Sequence, residues 1–279
     1  MNTNSRTKKN AAVILLLAIM AILPTLTAKA QDNSDEYGIW TTFEASKKIN
    51  KKFKFGVDAE FRTIDYVSNV ERWAIGASLD YKLSKMFKAN IGYSFIYTRK
   101  PEETNIKDIF DETLSLCNYN VDHAYWNIRN RFYFTLQGEY KVGRVEFTLR
   151  ERLQYTRTNS TTTDETKYRY EYTDPVAGDY QLTELTEPEF KRTKHNTTLR
   201  SRLTAKWDIR NCKITPFASV ELYTRLDEWA GCDKLRYRAG ASYKFNKDNS
   251  ISLYFLYQDA ADDDEPKGYA LGVEYSIDL

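Results

Sequence analysis

The sequence predicts an all-β chain closed into a barrel. Three observations carry that prediction: long segments in which apolar and polar side chains strictly alternate, connections that alternate between short and long, and an export signal followed by no second long apolar run. Period-two alternation turns one face of each strand toward an apolar medium and the other toward a polar one. A barrel standing in a membrane supplies both, with hydrocarbon outside and a polar interior.

The export signal comes first. Arg6, Lys8 and Lys9 form a basic head, Ala11 to Leu23 is an unbroken apolar run of 13 residues, Pro24 ends it, and Ala28-Lys29-Ala30 offers small residues for cleavage. That is the layout of a secretory signal, cleaved here after Ala30. The run falls short of the roughly 20 residues a membrane-spanning helix needs. Gln31 rather than a cysteine follows the cut, which disfavours a lipid anchor. The domain organisation expected is a signal over 1–30 and one barrel domain over 31–279.

The strands follow in order. The clearest reads Phe53, Phe55, Val57, Ala59, Phe61 on one face and Lys54, Gly56, Asp58, Glu60, Arg62 on the other. The next sets Trp73, Ile75, Ala77, Leu79 and Tyr81 against Arg72, Gly76, Ser78, Asp80 and Lys82. The pattern recurs near 37–46, 87–98, 125–140, 145–156, 197–209, 214–226, 234–245, 250–258 and 268–279, eleven segments in all. Most exceed the usual length of soluble strands and match the ~9–11 tilted residues that cross a bilayer. Short turns fall at 47–52, 84–86, 142–144, 211–213 and 246–249; the other connections run near 67–70, 99–124, 158–192, 227–233 and 259–267. Short turns at one end and longer loops at the other indicate an antiparallel up-and-down transmembrane β-barrel with periplasmic turns and extracellular loops. Tyr81-Lys82, Tyr140-Lys141 and Tyr243-Lys244 each put an aromatic and a lysine at a strand end, where a membrane interface favours them. The last strand carries Tyr269, Leu271, Val273, Tyr275, Ile277 and Leu279 on one face, as a strand read by the barrel-insertion machinery would.

Eleven sits badly with the even strand numbers of single-chain bacterial barrels. Either one strand is hidden or one segment is not in the wall, so the expectation is ten to twelve strands. The 158–192 segment holds strand-like stretches near Tyr168–Tyr172 and Tyr180–Leu185, which suit a hairpin standing clear of the membrane.

Composition narrows the function classes. The net charge is only +2, with basic strand faces and acid-rich loops at 101–124, 158–190 and 259–267, so no exposed basic surface for nucleic acid is expected. The cysteines, 117, 212 and 232, are an odd set without metal-ligand spacing. Cys212 and Cys232 flank one strand and would stand roughly 40 Å apart, too far to bridge.

The most unusual pattern is Arg-x-Arg on four strands: Arg129/Arg131, Arg150/Arg152, Arg200/Arg202 and Arg236/Arg238. Spacing i, i+2 puts both members on one face, here the face opposite the apolar one and so inside the barrel. The same face holds Glu44, Asp58, Glu60, Asp80, Glu139, Glu146, Asp208, Glu221 and Glu274. Guanidinium and carboxylate pair bidentately. Two readings stand: a salt-bridged filling that ties the wall together, or an arginine constriction that favours anionic solutes. Asp58, Glu60, Asp80, Glu146 and Glu221 are the acidic partners expected. So narrow a barrel leaves no room for a wide diffusion pore.

Three residues break the apolar face: Asn130, Glu151 and Ser201, each the middle residue of an Arg-x-Arg pair. They mark a protein or lipid-headgroup seam, or else a bulge that turns them elsewhere. The run Asp262-Asp263-Asp264-Glu265 could take a divalent cation or bridge lipopolysaccharide phosphates, but it lacks EF-hand spacing and reads more simply as a solvated loop. An enzyme is not expected, and neither is a cofactor or a bound metal. The histidines are His123 and His195; Ser201, on the face of His195, is about 20 Å along the strand from it, beyond nucleophile–base reach. A lipid hydrolase would need a serine from another strand.

The stretch from Gly38-Ile39-Trp40 to Glu60-Phe61-Arg62 resembles the start of the domain of unknown function 2490 family. So do Arg150-Glu151-Arg152-Leu153, Arg200-Ser201-Arg202-Leu203 and Pro216 to Tyr223. The resemblance spans the chain after the signal. It implies an outer-membrane barrel and supplies no activity. The expected role is a narrow channel or binding barrel for small, anionic solutes; the alternatives are a closed structural or interaction barrel of the envelope and, behind it, the lipid hydrolase. Its surroundings would be outer-membrane lipid and lipopolysaccharide, with the insertion machinery met during biogenesis.

Overall fold

In this computed structural model the residues described are 36–109, 117–174, 179–227, 232–260 and 267–279. The signal segment, its cleavage point at Ala30 and the acidic run 262–265 lie outside them. The strands are β1 (Glu36–Lys48), β2 (Phe53–Ile64), β3 (Asn69–Lys82), β4 (Phe87–Lys100), β5 (Glu103–Ile109), β6 (Cys117–Asp122), β7 (Tyr125–Val142) and β8 (Val145–Thr158). They continue as β9 (Thr161–Asp174), β10 (Asp179–Lys191), β11 (Lys194–Trp207), β12 (Ile214–Arg225), β13 (Cys232–Lys244), β14 (Asn249–Ala260) and β15 (Gly268–Asp278). Eleven of these close a barrel in the order β1-β2-β3-β4-β7-β8-β11-β12-β13-β14-β15; the other four form a sheet ordered β10-β9-β6-β5.

The wall obeys the period of its sequence. Outward positions carry Phe55, Trp73, Ile75, Ile91, Phe132, Leu149, Leu153 and Leu203, all exposed on the barrel's outer surface. An apolar belt of that extent is stable only against hydrocarbon. The short turns are closed by polar side chains. Asn50 accepts the N–H groups of Lys52 and Phe53, Ser84 those of Met86 and Phe87, and Asn246 those of Asp248 and Asn249. Each offers the backbone a bond that ends one strand and starts the next. The β7–β8 turn instead uses Gly143 at φ +59°, a conformation natural to glycine.

All eleven segments expected from alternation are wall strands, and among the described residues none is hidden or surplus. The odd number is resolved at one seam. β1 and β15 both run from the long-loop end to the short-turn end, so they pair parallel, from Glu36↔Gly268 to Ser46↔Asp278. The barrel is antiparallel as expected apart from this seam, as the β1–β2 and β14–β15 pairings show. The Leu279 N–H donates to the Ser46 carbonyl at 2.6 Å and fastens the end of the seam.

The described residues divide into two compact units. The first holds the barrel up to Ile96, 130–156 and 196–279; the second is built from Tyr97–Arg129 and Arg157–His195, the two longest connections with the strand ends that enter them. Within the second, β9 and β10 are the hairpin anticipated in 158–192, and β6 pairs with β9 from Tyr119↔Tyr168 to Asp122↔Glu165. Cys117, Cys212 and Cys232 are free thiols.

Candidate functional site

Each inward position is set by strand parity, and cross-strand register decides what it meets. Arg202 stands directly across from Glu221 on the β11–β12 pair, and Arg236 directly across from Glu221 on the β12–β13 pair. Glu221, 1% exposed, becomes the centre of a knot. Its Oε1 accepts from Arg150 at 2.6 Å and from Arg200 at 2.9 and 3.1 Å; its Oε2 accepts from Arg202 at 2.7 Å. Arg236 stands 3.8 Å away, and the Tyr223 hydroxyl donates to Oε2 at 3.3 Å.

Aromatic rings carry the excess positive charge of this layer. The Arg62 guanidinium lies 3.7 Å over the Trp40 ring, Arg236 lies 4.8 Å from Trp40 and 4.9 Å from Tyr223, and Arg200 lies 4.5 Å from Tyr223. Such contacts gain most where water is excluded. Arg62 also bonds Glu60 at 2.8 Å, while Arg72, 1% exposed, has Glu71 at 3.5 Å and Glu60 at 3.8 Å. With Ile96, Leu256 and Gln258 buried beside them, these side chains pack the barrel interior at this level.

Below the packed layer the barrel is hollow. A cavity of about 650 Å³ runs from Trp40, Arg62, Arg200 and Arg236 to Ser46, Asp248 and Asp278 at the short-turn end. Arg131, Arg150, Arg152, Arg202 and Arg238 line it, as do Glu44, Asp58, Glu60, Asp80 and Glu274. Glycines make the room. A Cβ on Gly92 would stand 2.3 Å from the Tyr133 ring, and one on Gly272 would stand 2.0 Å from the Tyr254 ring, so both rings lie flat on the wall.

Charge in the cavity is only partly matched. Arg152 donates Nε to Thr135 Oγ1 at 3.0 Å and lies 4.2 Å over Tyr133; Arg238 lies 5.2 Å over Tyr254. Neither forms an ion pair among the described residues. The buried Nε atoms of Arg150, Arg202 and Arg238 have no hydrogen-bond acceptor among the described residues. On β1, β2 and β15, Glu44 accepts from Ser276 at 3.4 Å, while Asp58 and Glu274 form no ion pair among the described residues. Nearer the mouth, Lys54 bonds Asp278 at 2.7 Å and Lys88 bonds Glu139 at 3.2 Å.

Of the arginines expected inside, Arg131, Arg150, Arg152, Arg200, Arg202, Arg236 and Arg238 come together at this cavity; Arg129 is buried in the second unit. Of the acids, Asp58, Glu60 and Asp80 line the cavity, Glu221 is locked within the packed layer, and Glu146 lies half-buried on β8 away from the lining. Sequence reasoning left out Trp40, Tyr133, Tyr223 and Tyr254. Their parity carried the signal: Tyr223 is two positions from Glu221 and Trp40 two from Thr42, on inward faces.

The polar residues of the outer face keep outward parity rather than turning away at a bulge. Glu151 stands between exposed Leu149 and Leu153 and accepts from Ser201 at 2.6 Å; Asn130 accepts from the Tyr93 hydroxyl at 2.6 Å. The Ser201 hydroxyl is thus engaged with a carboxylate. In the second unit, carboxylate oxygens of Asp122, Glu165 and Glu189 lie within 4.8 Å of one another. Lys191 serves this group, bonding Asp122 at 3.2 Å and Glu189 more closely. Partial burial works to lower the Lys191 pKa, but the bonds to Glu189 and Asp122 outweigh it and hold it above the ordinary lysine value.

A closed barrel with an apolar outer belt and a charged interior is the fold of an outer-membrane β-barrel protein. Solved structures similar to it include the β domain of the Bordetella autotransporter BrkA, at 9% identity and TM-score 0.43, covering 88% of this chain and 97% of that one. They include also the CymD monoaromatic hydrocarbon channel, at 11% identity and TM-score 0.33 over 81% of this chain and 83% of that one. The translocator domain of the autotransporter NalP from Neisseria meningitidis matches at 10% identity and TM-score 0.29 over 92% of each chain. The chain belongs to the family described as Protein of unknown function (DUF2490), matched over residues 37–267. No curated protein matches it.

Proposed function

We propose that this protein is an integral outer-membrane barrel that binds a small anionic solute inside its lumen, admitted from the periplasmic, short-turn end. The observation that carries the reading is the pairing of a hollow of about 650 Å³ with two lining arginines, Arg152 and Arg238, that form no direct ion pair among the described residues. A buried guanidinium without an anion is costly, and a bound anion offsets that cost. The Glu221 layer packs the lumen above the hollow, which favours a binding barrel over an open conduit. This reading assigns no catalytic step.

Two measurements test it together. Planar bilayers holding the purified barrel are expected to show no steady single-channel current. Calorimetric titration of the barrel in lipid nanodiscs with inorganic phosphate or hexanoate is expected to show saturable binding, lost in Arg152→Gln, Arg238→Gln. Steady conductance sensitive to those substitutions would restore the channel. Absence of both binding and conductance would leave the closed interaction barrel.

A further inference from the structure

The hollow holds charge of both signs, part of it in no direct ion pair among the described residues. On one side stand Arg152 and Arg238, their guanidinium planes laid on Tyr133 and Tyr254. On the other stand Glu44 and Glu274, which register brings together, Glu274 being opposite Thr42, two positions from Glu44; Asp58, opposite Glu44 on the β1–β2 pair, is close enough to Arg152 for the two charges to attract. A lumen that needed only internal neutrality would pair these groups, as the Glu221 knot pairs its own. Here Arg238 and Glu274 share one cavity without touching.

Register gives the separation. Ser242 faces Ser252, and Ser252 faces Glu274, which places Glu274 on the row of Ser242; Arg238 is four residues further along the same strand. Four residues of strand rise is about 13 Å, a gap that the long arginine and glutamate side chains shorten from both ends. Self-repulsion between Glu44 and Glu274 in a partly desolvated hollow makes a cation welcome at that end.

We propose that the ligand is a small zwitterion: a carboxylate or phosphate held by Arg152 and Arg238, and an ammonium held by Glu44 and Glu274. This rests on the anion-binding reading above and adds the second recognition point. An arginine pocket built for simple anions would be weakened by two carboxylates in the same water. A dipolar ligand turns them into an attraction and gains a defined length and orientation.

The test compares ligands of one chain length on the native barrel in lipid nanodiscs: 6-aminohexanoate, hexanoate and hexylamine, with 3-aminopropanoate and 4-aminobutanoate as shorter members. The zwitterion of best length is expected to bind at least tenfold more tightly than its matching carboxylate or amine, with affinity depending on spacer length. Glu44→Gln with Glu274→Gln should bring 6-aminohexanoate to within threefold of hexanoate, the fold being checked by heat-modifiable gel mobility. Hexanoate binding as well as every amino acid would overturn the zwitterion while the anion pocket stands. No binding by any acid would remove both. The ligand series needs no variant, so a misfolded mutant leaves the inference testable.

Discussion

Replacing Glu221 by glutamine removes one negative charge from the centre of the arginine knot and keeps the shape of the side chain. The carboxylate accepts charged hydrogen bonds from Arg150, Arg200 and Arg202 at 2.6 to 3.1 Å, with Arg236 at 3.8 Å. Hydrogen bonds to a charged group contribute about 1.5–3 kcal/mol each, and an amide retains part of them. What it cannot retain is the neutralisation of buried guanidiniums, and removing one partner of a buried ion pair costs about 3–5 kcal/mol. Glu221→Gln is therefore expected to lower the barrel's unfolding free energy by about 4 kcal/mol. Reversible urea unfolding into phospholipid vesicles, followed by tryptophan emission, measures this. Inorganic phosphate should recover part of the loss, because a ligand held by the folded state alone stabilises it by mass action. A change below about 1 kcal/mol, with no response to phosphate, would mean that the arginines are neutralised by water and by one another's rings, and that the knot is not a charge-balanced unit.

Two further outcomes follow from other parts of the molecule. Gly38→Ala should damage closure of the wall, since its Cβ would stand 1.9 Å from the Thr63 carbonyl oxygen on β2; a loss of about 1–3 kcal/mol and a lower temperature of heat-modified mobility are expected, and wild-type mobility would contradict this. In the second unit, Lys191 has its pKa raised by the bonds to Glu189 and Asp122 despite the opposing effect of burial, so its contribution is complete below the ordinary lysine pKa and is lost as pH rises through the folded value. Proteolysis within β9 and β10 should therefore accelerate at strongly alkaline pH in the wild type, and Lys191→Gln should show the faster cleavage already at neutral pH; equal profiles would remove Lys191 from the account.

The wall was legible because hydrocarbon outside and charge inside demand a period of two over long segments, as Phe53 to Arg62 displays. The sheet formed by β5, β6, β9 and β10 was only half legible. Tyr168, Tyr170, Leu182 and Leu185 mark β9 and β10, but Glu103–Ile109 carries polar groups on both faces, and Cys117–Asp122 alternates over only six residues, too few to announce a strand. Inward arginines were readable one strand at a time. Their convergence was not, because Arg150 meets Glu221 across 71 residues of sequence and only closure of the barrel joins them. Trp40 and Tyr254 share the inward parity, yet an aromatic reads first as a lipid-facing residue. Only the glycines beneath, such as Gly272 under Tyr254, allow such rings inside.

The parallel seam makes β15 unlike the other staves. Each of the remaining ten wall strands shares a short turn with a neighbour, β1 with β2, β3 with β4, β7 with β8, β11 with β12 and β13 with β14. Five hairpins are self-paired at their short turns; β15 has no such turn and pairs with β14 on one edge and β1 on the other. Without it, β14 and β1 would meet head to tail, and the cylinder would return to even parity with a smaller girth. The terminal strand thus acts as a spacer that sets the bore of the lumen.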